Sequence, residues 1–134
     1  MQVDQREEAE LIIYPNILVI EDDAALQGSI EAALADEGLQ PAIAESGEEA
    51  VTLLKSDWTA YRALVTDIKL RGRIDGWEVA RAARQLDPKF PVIYIAGVGA
   101  DRWETLGVPR SILLQKPFTP ADLVTAVRQL LPHY

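Results

Sequence analysis

Three short apolar runs end in groups that can do chemistry. Ala63-Leu64-Val65-Thr66 runs into Asp67. Ile17-Leu18-Val19-Ile20 runs into Glu21-Asp22-Asp23, and Ile112-Leu113-Leu114-Gln115 into Lys116-Pro117. Apolar, partly β-branched runs of this length read as buried strands. In an open parallel sheet, ligands bind at the carboxyl ends of the strands. Three such ends in one crevice would gather several carboxylates and one lysine. Clustered carboxylates repel one another, which favours a hard divalent cation with oxygen ligands, above all Mg2+. With a metal bridging the acids to an incoming phosphoryl group, Asp67 is suited to attack phosphorus as a carboxylate nucleophile. Lys116 would then pair with the phosphoryl oxygens. A nucleotide site fits poorly. It needs a glycine-rich turn after the first strand, and Glu21-Asp22-Asp23 repels phosphate there.

The elements that must carry these residues alternate in type. Asn16 to Ile20 is the first strand, and Asp22 or Asp23 caps the helix after it. Leu26, Ile30, Ala33 and Leu34 give that helix one apolar face, and Gly38 ends it. Gln40 to Ala44 is a second strand interrupted by Pro41. Ser46 and Glu49 suggest a capping box for a helix burying Ala50, Leu53 and Leu54. Ser56 to Tyr61 reads as a loop, with Trp58 over the core edge. After Asp67, residues 68–75 form a charged loop, where Arg71 and Arg73 read as solvated. Gly76 opens a third helix with Val79, Ala83 and Leu86 inward, and Asp87-Pro88 stops it. Trp77 shields the start of that helix. Val92 to Ala96 is the fourth strand, and only a short helix, around Asp101 to Leu106, fits before the fifth strand at Ser111 to Gln115. Trp103 packs at the core or its rim. Thr119-Pro120-Ala121-Asp122 starts the last helix, lined by Val124, Val127 and Leu131, with Leu123 and Leu130 beside them. Strands alternating with helices imply an α/β domain, a doubly wound five-stranded parallel sheet with helices on both faces.

The composition narrows the function. The chain of 134 residues suits one domain, with 1–15 as an N-terminal extension and 16–134 as the domain. Within the extension, Leu11-Ile12-Ile13-Tyr14 is expected to pack locally. A net charge of −8 argues against a nucleic-acid surface. The sequence has no long apolar stretch for a membrane span and no signal-peptide pattern, so no membrane association is expected. It has no cysteine, which excludes thiol catalysis and fits a cytoplasmic location. The only histidine is His133, in the tail, so histidine-based catalysis is not expected.

Taken in order, the segments 17–23, 64–67, Asp75-Gly76 and Lys116-Pro117-Phe118 resemble a response-regulator receiver domain of the CheY-like, flavodoxin-like type. The resemblance runs from about Asn16 to Leu131. It implies that Asp67 accepts a phosphoryl group from a sensor histidine kinase or a histidine phosphotransfer protein. It implies that Asp22 touches Mg2+ directly and that Glu21 acts mainly through water. It further implies that the backbone carbonyl of Lys69 ligates the metal. Lys116 matches the phosphate-binding lysine, and Pro117 the proline of a cis peptide. Enzymatic turnover is not implied beyond self-phosphotransfer and autodephosphorylation. The chain is expected to be a stand-alone receiver, a monomer or weak homodimer, that signals through contacts with an unknown downstream protein.

The chain departs from the family in four places. The usual Ser or Thr at the end of the fourth strand is Ala96, and the aromatic switch position of the fifth strand is Leu113. The fourth helix is short, and the loop after Asp67 is one residue longer than the commonest form. These departures suggest an alternative, a receiver-fold interaction module with weak or no switching on phosphorylation. A phosphatase of the haloacid dehalogenase type would need a second aspartate where Lys69 stands.

Overall fold

The computed structural model describes residues 16–131. The apolar segment 11–14, the boundary drawn at residue 15 and His133 lie at or outside these limits. Among the described residues, strands and helices alternate: β1 (Asn16–Ile20), α1 (Ala24–Asp36), β2 (Gln40–Ala44), α2 (Gly47–Asp57), β3 (Ala63–Asp67), α3 (Gly76–Leu86), β4 (Val92–Ala96), α4 (Trp103–Leu106), β5 (Ile112–Gln115) and α5 (Pro120–Leu130). The five strands form one parallel sheet in the order β2-β1-β3-β4-β5. This is the doubly wound sandwich expected from the alternation.

Pairing places β3 in the middle, between β1 and β4, so Asp67 ends the central strand. Pro41 is accommodated because β2 is an edge strand, where a missing N–H is tolerated. The two sheet faces build separate cores. On one face Leu18, Ile20, Leu64, Val92 and Tyr94 meet Leu54, Val79, Ala83 and Phe90, with Trp58 and Trp103 partly buried against them. On the other, Ile17, Val19, Val65, Ile93 and Ile95 meet Ile30, Leu34, Leu123 and Val127 of α1 and α5. The alternation of side chains along each strand makes this division.

Several local expectations are corrected. The α2 helix continues to Asp57, and a single 3-10 turn follows at Trp58–Ala60, with the Asp57 carboxylate accepting from the Thr59 N–H. Ser46 caps α2 by accepting from the Glu49 N–H at 3.1 Å, but Glu49 reaches back to the Glu45 N–H and not to Ser46. That is half a capping box. Thr119 and Asp122 make the complete one at α5. The inner face of α5 is Leu123, Ala126 and Val127, while Val124 is only half-buried. The β5 strand begins at Ile112, one residue after Ser111, whose hydroxyl accepts from Trp103 Nε1 at 2.9 Å and donates to the Val108 carbonyl.

Among the described residues, Tyr94 is the largest fully buried side chain. Its ring packs on Trp77, with centroids 4.8 Å apart, and its hydroxyl accepts from the Val108 N–H at 3.0 Å. Burial pushes the phenol's pKa upward, against the opposing effect of that hydrogen bond. Its register partner across the sheet is Leu113. The bulky ring therefore stands on β4, beside Leu113, the β5 position at which the resemblance implies an aromatic residue.

Candidate functional site

The carboxyl ends of β1, β3 and β5 converge, as parallel pairing requires. Lys116 leaves β5 and extends back toward β3: its Nζ lies 2.9 Å from Asp67 Oδ2 and 3.6 Å from Glu21 Oε2. The Lys116 N–H also donates to the Ala96 carbonyl at 2.8 Å, which ties the lysine backbone to the end of β4. The Lys116–Pro117 peptide is cis. Carboxylate oxygens of Glu21, Asp22 and Asp67 all lie within 4.8 Å of one another.

Glu21 is the unusual member. It is 1% exposed, and its Oε1 accepts from the Asp23 N–H at 3.1 Å. Among the described residues, Oε2 finds no hydrogen-bond partner, since Lys116 stands just beyond reach. Burial raises its pKa from the usual 4.5 to about 7. The Asp67 charge adds to the rise, while the Asp23 N–H and Lys116 oppose it. Lys116 moves upward as well. Burial works against its ammonium, but the hydrogen bond and charge of Asp67, with the charge of Glu21, outweigh it. Three acids thus gather about Lys116, and one of their oxygens is buried and unpartnered. An all-oxygen donor set of this kind suits a hard divalent cation.

The backbone around Asp67 is fixed by close contacts. The Thr66 hydroxyl donates to the Asp67 carbonyl at 2.8 Å, and the Ile68 N–H donates to the Ile95 carbonyl at 3.0 Å. Gly76, the first residue of α3, donates its N–H to the Ile68 carbonyl at 2.8 Å. A Cβ at Gly76 would overlap the Asp67 carbonyl oxygen, so only glycine fits there. Asp75 caps α3 by accepting from the Glu78 N–H at 2.9 Å. In α1 it is Asp23 that caps, accepting from the Leu26 N–H at 2.9 Å, which leaves Asp22 for the site. Lys69 lies two residues beyond Asp67 with its side chain exposed.

The other anticipated positions are also placed. Ala96 ends β4, fully buried, and offers no hydroxyl toward the acids. Leu113 packs half-buried against the same core face as Tyr94.

A family model for the response regulator receiver domain matches residues 17–128. The chain belongs to that family. Among solved structures, this receiver domain is similar to a response regulator receiver protein of Sinorhizobium medicae, at 45% identity and a TM-score of 0.85 over 90% of this chain and 96% of that one. Among curated proteins it is 32% identical over 117 residues to the response regulator MprA of Mycolicibacterium vanbaalenii, covering 86% of this chain and 49% of the relative. It is 31% identical over 120 residues to a probable transcriptional regulator, ycf29, of Porphyra purpurea, covering 87% and 56%. The receiver chain thus spans about half the length of the curated relatives it matches. No helix among the described residues is long and apolar enough to cross a membrane.

Sequence reasoning missed three contacts at this receiver's site. The Gln27 side-chain amide donates to the Glu21 carbonyl. The Arg71 guanidinium, read as solvated, pairs with Asp22 at 3.5 Å. The Glu48 carboxylate accepts from the Ile74 N–H at 2.9 Å, across 26 positions of chain. Each joins residues on different elements, and no local pattern signals such a contact.

Proposed function

We propose that this receiver accepts a phosphoryl group on Asp67 from the phosphohistidine of a sensor histidine kinase or histidine phosphotransfer protein. The observation that carries the reading is the Lys116 ammonium, 2.9 Å from Asp67 Oδ2, inside a cluster of three acids. A lone pair of the Asp67 carboxylate forms the O–P bond as the P–N bond to the donor imidazole breaks. The bonding pair leaves with the imidazole nitrogen, and the product is an acyl phosphate. Lys116 binds a phosphoryl oxygen and keeps Asp67 aimed at the open side of the crevice. Glu21, Asp22, Asp67 and the backbone carbonyl of Lys69 would hold Mg2+. When bound, that ion supplies positive charge for the phosphoryl oxygens. Output then passes to another protein by surface contact.

The test is intact mass after incubation with a small phosphodonor and Mg2+. One phosphoryl group should appear on the unaltered chain and none on Asp67→Asn. Labelling that persists in Asp67→Asn refutes the assignment.

A second reading, a receiver whose phosphorylation reaches its surface only weakly, is favoured by Ala96. Beside a phosphoryl oxygen it supplies no hydroxyl donor. A hydrogen bond to a charged group contributes about 1.5–3 kcal/mol, so the coupling would fall by roughly one to two orders of magnitude. Ala96→Thr should then enlarge the chemical-shift response to beryllofluoride and Mg2+ and carry it toward β5. An equally broad response in the unaltered chain, reaching Leu113 and α5, refutes this second reading.

A further inference from the structure

The loop after Asp67 carries a cation to the acids. Arg71 Nε stands 3.5 Å from Asp22 Oδ2. The Arg71 side chain is 83% exposed, and an arginine so exposed is ordinarily a solvated surface group. The loop that carries it, however, is held just beyond Arg71 by the start of α2. Glu48 Oε1 accepts the Ile74 N–H at 2.9 Å. Gly72, next to Arg71, has φ 92°, and a Cβ there would overlap the same Glu48 carboxylate. Gly47 lets the loop approach more closely still, since a Cβ there would lie 2.5 Å from the Ile74 carbonyl oxygen. Two glycines and one carboxylate therefore seat the segment 71–74 against α2.

We propose that Arg71, seated by Glu48 and Gly47, is a built-in counter-ion that competes with the divalent cation for Asp22. The inference rests on the metal reading above and names the residue that sets the affinity of that site. A cation arriving at Asp22 meets a guanidinium already there and must displace it. The acids therefore bind the metal less tightly than their number implies, and metal binding frees Arg71 from Asp22. Solvent screens a pair this exposed, so the competition is modest and depends on ionic strength.

The test is equilibrium Mg2+ binding by the full chain without phosphodonor, followed by calorimetry and by tryptophan fluorescence. At low ionic strength Arg71→Gln should bind Mg2+ about two- to fivefold more tightly, the size expected for an exposed ion pair. Arg71→Lys should restore the original affinity, and the difference should shrink in high salt. Glu48→Ala, which unseats the loop, should shift affinity in the same direction and add little to Arg71→Gln in the double variant. A thermal melt checks that each variant is folded.

If the unaltered chain binds Mg2+ and Arg71→Gln binds it equally, the competition is overturned while the metal site stands. If Arg71→Gln tightens binding and folded Glu48→Ala does not, the seating by Glu48 is overturned. If the unaltered chain binds no Mg2+, the metal site and the competition fall together.

Discussion

Glu21→Gln should stabilise the metal-free receiver, and the gain should grow with pH. The folded state holds the Glu21 proton more tightly than the unfolded chain does, with a pKa of about 7 in place of 4.5. Below pH 4.5 both states are protonated there and no penalty exists. Between 4.5 and about 7 the folded state binds the extra proton, so stability falls as pH rises. Above 7 the penalty is complete. At about 1.4 kcal/mol per pKa unit, the shift amounts to roughly 3 kcal/mol. Glutamine keeps the shape and the acceptor for Asp23 N–H but carries no charge. The pKa of about 7 already contains the opposing charge of Lys116 at 3.6 Å. The expected gain is below about 1 kcal/mol at pH 5 and about 2–3 kcal/mol at pH 8. Urea unfolding in chelator at the two pH values, followed by tryptophan fluorescence, measures it. A gain that is the same at both, or a loss at pH 8, would refute the claim that a buried carboxylate charge strains this site.

The same proton must leave before Glu21 can face a cation, so Mg2+ affinity should rise between pH 6 and 8, by at most about tenfold per unit. Calorimetry in buffers of different ionisation enthalpy would show the released proton. Gly76→Ala should cost about 1–3 kcal/mol or more, because its methyl overlaps the Asp67 carbonyl and lies 2.8 Å from Ile68 Cα, both backbone. Gly28→Ala is the control: it lies within α1 with nothing near a Cβ, and should stabilise by about 0.5–1 kcal/mol. Tyr94→Phe leaves the buried Val108 N–H without its acceptor and should cost about 1–3 kcal/mol. The urea midpoint measures each of these, and faster amide exchange at Val108 would localise the last.

The parts of the fold legible in the sequence were those set by local pattern. The strand runs, a cap at Asp22 or Asp23, the cap at Thr119 and the stop at Asp87-Pro88 all act within a few residues. Pro41 obscured β2 because a proline is acceptable only at a sheet edge, and edge position is a property of the whole sheet. The charged ends of β1, β3 and β5 were legible because parallel strands necessarily share an end. The remainder depended on tertiary contact. Glu48 looked like any acid in a first helical turn, and Arg71 like any loop arginine. Tyr94 sat in an apolar run, where nothing marked its hydroxyl as the acceptor for Val108. The end of β5 already put Lys116 at the crevice; its direct pairing with Asp67 at 2.9 Å was not written in any local pattern.

The division of the interior by the sheet has a consequence for how such a chain can change. A substitution beneath α2 and α3 alters a core that includes Leu18, Leu64 and Tyr94, and one beneath α1 and α5 alters a core that includes Val19, Val65 and Ile95. The two clusters have no residue in common, so the effects of well-separated substitutions in them should add. One layer can thus be resurfaced for a new associate while the other keeps its own. The constraint falls on the rim where β1, β3 and β5 end. There both layers meet the same four charged residues, and a drift in either moves Asp67 relative to Lys116.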